Sequence, residues 1–221
     1  MARSKPVLIG ECRFASKKEA GDFIRSVLYQ YDIGQRVSED DAEFLADLLQ
    51  LHPEAPQKVG CGVRFFTVEQ NEGSRGFWLT RTDGSMTDWS FLSCLTPPTP
   101  ETEARAGFRT AVRSQVSAFR DALDTAPGRL CPITNERLTE ANVHIDHDPS
   151  FEDLLDSFLR ERGLALGEVA VLPTTDGSTT TELANDDLRT EWQSFHHRNA
   201  RLRAVSIQAN LSILRRRSSK P

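Results

Sequence analysis

A carboxylate stands between two imidazoles in the stretch His144-Ile145-Asp146-His147-Asp148-Pro149. A carboxylate can hold a divalent metal, and a neighbouring imidazole can take a proton from an attacking water. Phosphodiester hydrolysis uses both groups, because the metal neutralises charge on the phosphate. Asn210, much later in the chain, adds an amide oxygen, a neutral ligand suited to a hard cation such as Mg²⁺. These residue types indicate metal-dependent hydrolysis.

The direction of these side chains depends on where their strand ends. Successive strand residues point to opposite faces, so His144 and Asp146 share one face and His147 takes the other. Pro149 indicates that the strand is ending there. We therefore expect Asp146 and His147 to border one cleft.

The elements that position these residues fall into two regions, which together predict an α+β fold. In the first region, Ser16 and Ser38 begin helices, and strands are expected at 63–68, 76–81 and 89–94. A Pro-rich polar run then forms a stiff linker. The predicted division is a domain at 8–96, a linker at 97–102 and a second domain at 103–217.

The second region alternates helices with short strands. Phe108, Val112 and Val116 begin an apolar stripe on a long helix, and Ser150 caps another helix. The expected elements are helices at 102–124, 151–162 and 207–217, and strands at 129–133, 142–147 and 201–205. A further helix is expected to begin at a cap on Asn185 or Asp186 and to carry Leu188, Trp192 and Phe195.

Composition is that of an ordinary folded protein, with 38% hydrophobic and 27% charged residues and a net charge of −5. No stretch has the apolar length of a membrane span, and the N-terminus has no signal-peptide core. We therefore expect no membrane partner and a cytoplasmic location.

Charge is uneven, because Glu191 is the last carboxylate side chain and basic residues follow it. Arg198, Arg201 and Arg203 are predicted to contact the phosphates of a nucleic acid. The run at 215–217 is read either as part of that phosphate-binding face or as a solubilising tail.

The second region resembles the HNH, or ββα-metal, nucleases, including the endonuclease VII type. The resemblance rests on Asp146-His147 with Pro149 close behind, the strand 202–205, and Asn210 on a following helix. It implies that Asp146 and Asn210 bind Mg²⁺ or another divalent metal and that His147 activates water.

A further family position precedes the second strand and orients the general base. His196, His197 or Asn199 could occupy it, and the sequence around Trp192 favours His196.

Many HNH proteins carry two CxxC pairs that bind a structural zinc. Here Cys131-Pro-Ile-Thr134 keeps one cysteine, and Ser206-Ile-Gln-Ala209 keeps none. One thiol cannot hold a tetrahedral zinc alone, so no structural zinc is expected.

The first region resembles the DCL family, named for the phenotype "defective chloroplasts and leaves". The resemblance rests on Phe14-Ala-Ser-Lys17, Glu43-Phe-Leu45, His52-Pro53, Lys58-Val-Gly60-Cys-Gly62-Val63, Ser74-Arg75-Gly76-Phe77, Arg81-Thr-Asp83-Gly84 and Asp88-Trp-Ser90-Phe91 with Cys94. It implies a small α+β domain linked to RNA processing and to plant polymerase tails, without implying catalysis.

The sequence therefore predicts an HNH-type endonuclease that hydrolyses nucleic acid, with DNA favoured by family analogy and RNA possible. Three alternatives stay open. They are a nucleic-acid-binding protein without catalysis, an RNA-processing factor, and an adaptor that binds other proteins.

Overall fold

The computed structural model describes residues 5–71, 74–123, 128–173, 175 and 180–214. Helices and β-sheets occur together, which confirms the α+β class. The chain divides into two compact units, of which the first ends at Pro98 and the second begins at Thr99. The second half of the predicted linker is helical, because Thr99 caps a helix that starts at Pro100. None of the described helices is long and apolar enough to cross a membrane.

The first unit begins with a β-hairpin and two amphipathic helices. Its first elements are β1 (Val7–Ile9), β2 (Cys12–Phe14), α1 (Lys17–Gln30), α2 (Glu39–Gln50) and α3 (Ala55–Val59). The side chain of Ser16 accepts a hydrogen bond from the backbone N–H of Glu19, and that of Ser38 accepts one from Asp41. Both helices therefore start at the serines that the capping patterns predict.

A three-stranded antiparallel sheet completes this unit. Its strands are β3 (Val63–Asn71), β4 (Ser74–Arg81) and β5 (Met86–Asp88), and helix α4 (Phe91–Leu95) follows. The predicted strand at 89–94 is wrong, because a tight turn with Gly84 at φ +87° lets pairing resume at Met86. Trp89 instead packs on Phe66 and Phe77, with ring centroids 6.0 and 5.8 Å apart. A short apolar run does not distinguish a strand from a helix.

Three helices form the core of the second unit. They are α5 (Pro100–Asp121), α6 (Phe151–Arg162) and α7 (Asp186–Asn199). They meet around Phe108, Phe158 and Trp192, which are fully buried. The indole N–H of Trp192 donates to the carbonyl of Phe108 at 2.9 Å, which ties α7 to α5. Helix α6 starts with a reciprocal capping box between Ser150 and Asp153.

A two-stranded antiparallel ribbon carries the residues that the sequence singled out. It consists of β6 (Val143–Asp148) and β7 (Arg201–Ser206), followed by a helical segment of π type at Ala209–Leu214. Asp146 lies opposite Arg203 in the ribbon. Strand β6 continues through Asp148, one residue beyond the predicted end, so the pleat places His147 on the face opposite to His144 and Asp146. The expectation that Asp146 and His147 border one cleft, which required the strand to end earlier, is therefore wrong.

Two other predictions for this region change. The strand expected at 129–133 is wrong, because only an isolated bridge joins Leu130 to Arg137 in the described part of that segment. Cys131 begins a turn there, and its carbonyl accepts a hydrogen bond from the N–H of Asn135. The basic run at 215–217 lies outside the described residues.

Candidate functional site

A hydrogen-bonded chain runs from the ribbon into the helical core. Nε2 of His147 lies 3.0 Å from Nε2 of His196, and Nδ1 of His196 lies 2.8 Å from Oε1 of Gln115. The amide nitrogen of Gln115 donates to the backbone carbonyl of Gln193 at 2.9 Å. Helix α7 brings His196 inward because it lies one turn after the buried Trp192. The structure thus joins the predicted base to the residue predicted to orient it.

Both histidines are largely shielded from water. His196 is 1% exposed, and burial together with the neighbouring His147 and His197 lowers its pKa to about 4. Burial also lowers the pKa of His147, opposed by the nearby Asp146 carboxylate and assisted by Arg109. Both imidazoles are therefore neutral near pH 7, so each keeps one nitrogen able to accept a proton.

On the opposite face of the ribbon, Asp146 is held by an arginine. Nε and Nη2 of Arg203 both lie 2.8 Å from Oδ2 of Asp146, and Nη1 lies 3.0 Å from Oδ2 of Asp148. Cross-strand register creates this contact, because Asp146 and Arg203 are directly paired. Arg203, which was predicted to contact phosphate, thus donates hydrogen bonds to two carboxylates.

Asn210 reaches the same face from the C-terminal helical segment. Its amide nitrogen lies 3.0 Å from Nδ1 of His144. His144 is two residues from Asp146 on β6, so both point to one side. Among the described residues, no hydrogen bond joins Asp146 to Asn210 or to His147. The predicted site residues therefore form three separate pairs rather than one cluster.

The four positions that the resemblance to HNH proteins would align with zinc ligands lie close together. The hydroxyls of Thr134 and Ser206 lie 3.0 Å apart, and the backbone N–H of Ser206 donates to Sγ of Cys131 at 3.3 Å. The N–H of Ala209 donates to the hydroxyl of Ser206 at 3.2 Å. We call these four residues the knuckle cluster. It offers one thiol, so the expectation of no structural zinc remains a prediction based on the donor set.

Hydrogen bonds also change the chemistry of the cysteine in the knuckle cluster. Burial raises the pKa of the Cys131 thiol, but donors from Thr134, Ser206 and Ile133 outweigh burial and lower the pKa to about 6. The same N–H and O–H groups that hold the cluster together therefore stabilise the ionised form of the sulfur.

Two further arginines lie on the outside of the ribbon or next to it. Arg198 and Arg201, the other two residues predicted to contact phosphate, are exposed. Arg109, which the sequence did not single out, lies 4.8 Å from the ring centroid of Phe151 and forms an ion pair with Glu152 at 2.8 Å. Its effect on the pKa of His147 places its charge near that imidazole.

Gln115 is the site residue that sequence reasoning missed. It follows the buried Phe108 and Ala111 at helical spacing on α5, so it occupies a position that an apolar stripe would fill. A polar residue at such a position is a signal for a buried hydrogen bond. Its partner, His196, lies 81 positions away in the chain, and spacing cannot supply that pairing.

Comparison with known proteins identifies the first unit. Residues 25–95 match the family described as "Protein of unknown function (DUF3223)". "Protein DCL, chloroplastic" of Solanum lycopersicum is 38% identical over 79 residues, which are 33% of this chain and 35% of that protein. The DCL homolog of Arabidopsis thaliana is 33% identical, over 33% of this chain and 36% of that protein. Residues 25–95 are therefore a DCL-family domain, which confirms that part of the predicted resemblance.

Two other relatives match with different coverage. A subunit of DNA-directed RNA polymerase V of Arabidopsis thaliana is 36% identical over 29% of this chain and 4% of its own length. A solution NMR structure of an uncharacterized protein from Rhodospirillum rubrum is 40% identical, covers 42% of this chain and 91% of that chain, and has a TM-score of 0.40. This chain spans about a third of the length of the two DCL proteins that it matches.

The names of these relatives correct one prediction. Two of them are named as chloroplastic proteins. The prediction of a cytoplasmic location, which rested on the lack of a signal-peptide core, is contradicted by those names and is withdrawn.

Proposed function

We propose that the second unit is a metal-dependent endonuclease of the HNH type that hydrolyses phosphodiester bonds in nucleic acid, with DNA as the favoured substrate. The observation that carries the proposal is the 3.0 Å contact between His147 and His196. It gives a general base on β6 an orienting partner from the residues just before β7, as the resemblance implies. The order of ribbon, then helical segment with Asn210, supports the same assignment.

The donors present suit a hard divalent cation. Asp146 offers a carboxylate and Asn210 an amide, and the described contacts use Oδ2 of Asp146 and Nδ2 of Asn210. Oδ1 of each side chain remains to be a ligand, which is the kind of atom that Mg²⁺ prefers. Among the described residues, no three His, Cys, Asp or Glu side chains are grouped to hold a metal. Most coordination positions would therefore be filled by water and phosphate oxygens.

Asp146 and Asn210 would hold the ion, which when bound neutralises charge on the scissile phosphate. His147 takes a proton from the attacking water. It is suited to this role because burial lowers its pKa and leaves it neutral near pH 7. His196 fixes the direction of the His147 ring. Arg198 and Arg201, which are exposed, would contact flanking phosphates and make binding salt-dependent.

A second candidate function is nucleic-acid binding without cleavage. Two observations favour it. A guanidinium already neutralises the carboxylate that would hold the metal. The pleat of β6 also places His147 on the face opposite to Asp146. In this case the ribbon is a scaffold and its arginines provide the affinity. A role in RNA processing, suggested by the DCL-family domain, is tested by the structured RNA in the same experiment.

Cleavage of three substrates tests these proposals. The purified chain is incubated with Mg²⁺ or Mn²⁺ and with supercoiled plasmid, linear duplex or structured RNA. We expect His147→Ala to reduce the cleavage rate by about 10²- to 10⁴-fold while nucleic-acid binding is kept. His197→Ala is the matched control, because this neighbouring histidine is exposed, and it should cleave like the wild type.

Each outcome supports or rejects one of these proposed functions. Equal nicking by the wild type and by His147→Ala would indicate a contaminating nuclease and reject the enzyme. Binding without cleavage in every variant would support the second candidate. Cleavage confined to structured RNA would reject DNA as the substrate.

A further inference from the structure

We infer that Gln115, on helix α5 outside the ribbon, is a positioning residue that selects Nδ1 of His147 as the proton-accepting atom. The inference rests on the proposed function for its catalytic meaning. The hydrogen-bond directions themselves follow from the structure alone.

The orientation of the Gln115 amide is fixed at its nitrogen end. Nε2 lies 2.9 Å from the carbonyl oxygen of Gln193, which can only accept a hydrogen bond. The nitrogen must therefore be at that end, and the oxygen Oε1 must face His196 at 2.8 Å. An amide is otherwise easily assigned the wrong way round, and the backbone carbonyl removes this ambiguity.

The direction of the next hydrogen bond follows from that oxygen. Oε1 of Gln115 has no proton to give, so Nδ1 of His196 must carry one and donate it. His196 is buried and neutral. A neutral imidazole carries one N–H, so Nε2 of His196 is an acceptor.

The last hydrogen bond then fixes His147. Nε2 of His147 lies 3.0 Å from Nε2 of His196, and one proton must lie between them. Since His196 accepts, His147 must donate from Nε2. Its lone pair is consequently on Nδ1, which makes no hydrogen bond to any described residue. A neutral glutamine on a third element thereby decides which nitrogen of His147 can take a proton from water.

The structure offers a matched control for this inference. The side chain of Gln193 also links α5 to α7, because its amide nitrogen donates to the carbonyl of Ala111 at 2.8 Å. Gln115→Leu removes two interhelical hydrogen bonds, to Gln193 and to His196, and Gln193→Leu removes one. Only Gln115→Leu removes the acceptor that faces His196. A purely structural role for Gln115 would leave the histidine tautomers the same in the two variants.

The test is the tautomeric state of the two histidines, observed by NMR of the full chain with ¹⁵N-labelled imidazoles. In the wild type and in Gln193→Leu, we expect a proton on Nε2 of His147 and on Nδ1 of His196. In Gln115→Leu, we expect mixed tautomers at both rings. A wild-type His147 protonated on Nδ1, or an unchanged tautomer in Gln115→Leu, would overturn the inference.

Cleavage rates measured on the same samples separate this inference from the proposed function. With mixed tautomers, kcat of Gln115→Leu should fall by about 10- to 100-fold with little change in KM, as when the orienting partner of a histidine is lost. Gln193→Leu should keep its kcat. If no variant cleaves but the tautomers are as expected, the nuclease proposal fails and the hydrogen-bond inference stands. If the wild type cleaves and Gln115→Leu keeps full kcat, the positioning role is refuted.

Discussion

The ion pair between Arg203 and Asp146 provides the sharpest perturbation of the candidate site. Arg203→Gln removes the charge but keeps a side chain that can still donate a hydrogen bond. If Asp146 is a metal ligand, the guanidinium and the metal compete for the same carboxylate. We therefore expect Arg203→Gln to bind Mn²⁺ more tightly than the wild type.

The size of this effect follows from the geometry. The nitrogens of Arg203 lie 2.8 Å from Oδ2 of Asp146, so an ion on the other oxygen would stand roughly 5 Å from the guanidinium charge. At an effective dielectric constant of about 20, a divalent ion and a unit charge at that distance repel by about 6–7 kcal/mol. The side chain of Arg203 is 31% exposed, so solvent and salt reduce this repulsion. A remaining effect of about 1–2 kcal/mol corresponds to roughly 10-fold in affinity.

Calorimetric titration with Mn²⁺ measures the effect directly. Arg201→Gln is the control, because it removes the same charge from the same strand at an exposed position. Asp146→Asn should abolish binding in either background. If Arg203→Gln binds Mn²⁺ no more tightly than the control, Asp146 and Arg203 form a structural pair, and the metal assignment is refuted.

Three further predictions concern stability. Burial lowers the pKa of His196 from 6.5 to about 4, so the unfolded chain binds a proton more readily than the folded one. The free energy of unfolding should therefore be highest above pH 6.5 and fall as the pH decreases towards 4. The total loss should be up to about 3 kcal/mol. Urea unfolding at several pH values should show this slope in the wild type and a weaker one in His196→Gln. Trp192→Ala should lower the free energy of unfolding by about 3–5 kcal/mol, since it leaves a cavity in the core and removes the indole hydrogen bond to the Phe108 carbonyl. Ser150→Ala should cost about 1 kcal/mol by removing the cap that faces Asp153, and Ser150→Thr should recover most of it in the same unfolding experiment.

The sequence predicted those parts of the fold that depend only on neighbouring residues, such as the starts of helices. Ser16, Ser38 and Ser150 each accept a backbone hydrogen bond at the start of a helix, as the pattern of the following residues indicates. The prediction of a strand at 89–94 is wrong because the sequence does not show how tight the preceding turn is. The third strand starts at Met86 because Met86 pairs with Thr80, and this pairing is not visible in the local sequence.

The candidate site divides in the same way. Resemblance to known motifs singled out His147 and His196, and the structure places them in contact. Neither the ion pair of Asp146 with Arg203 nor the contact of His196 with Gln115 could be predicted. Both depend on strand register or on helix packing between residues far apart in the chain, which spacing alone cannot determine.

The composition of the knuckle cluster determines what the chain needs in order to fold there. A clamp made of hydroxyls, one thiol and backbone N–H groups takes all its components from the polypeptide. Since one thiol cannot hold a tetrahedral zinc alone, we predict that its formation needs no ion and that a chelating agent does not weaken it. With a single sulfur, oxidants cannot lock the clamp as an internal disulfide. On this prediction, the ribbon folds equally well where free zinc is scarce or fluctuating.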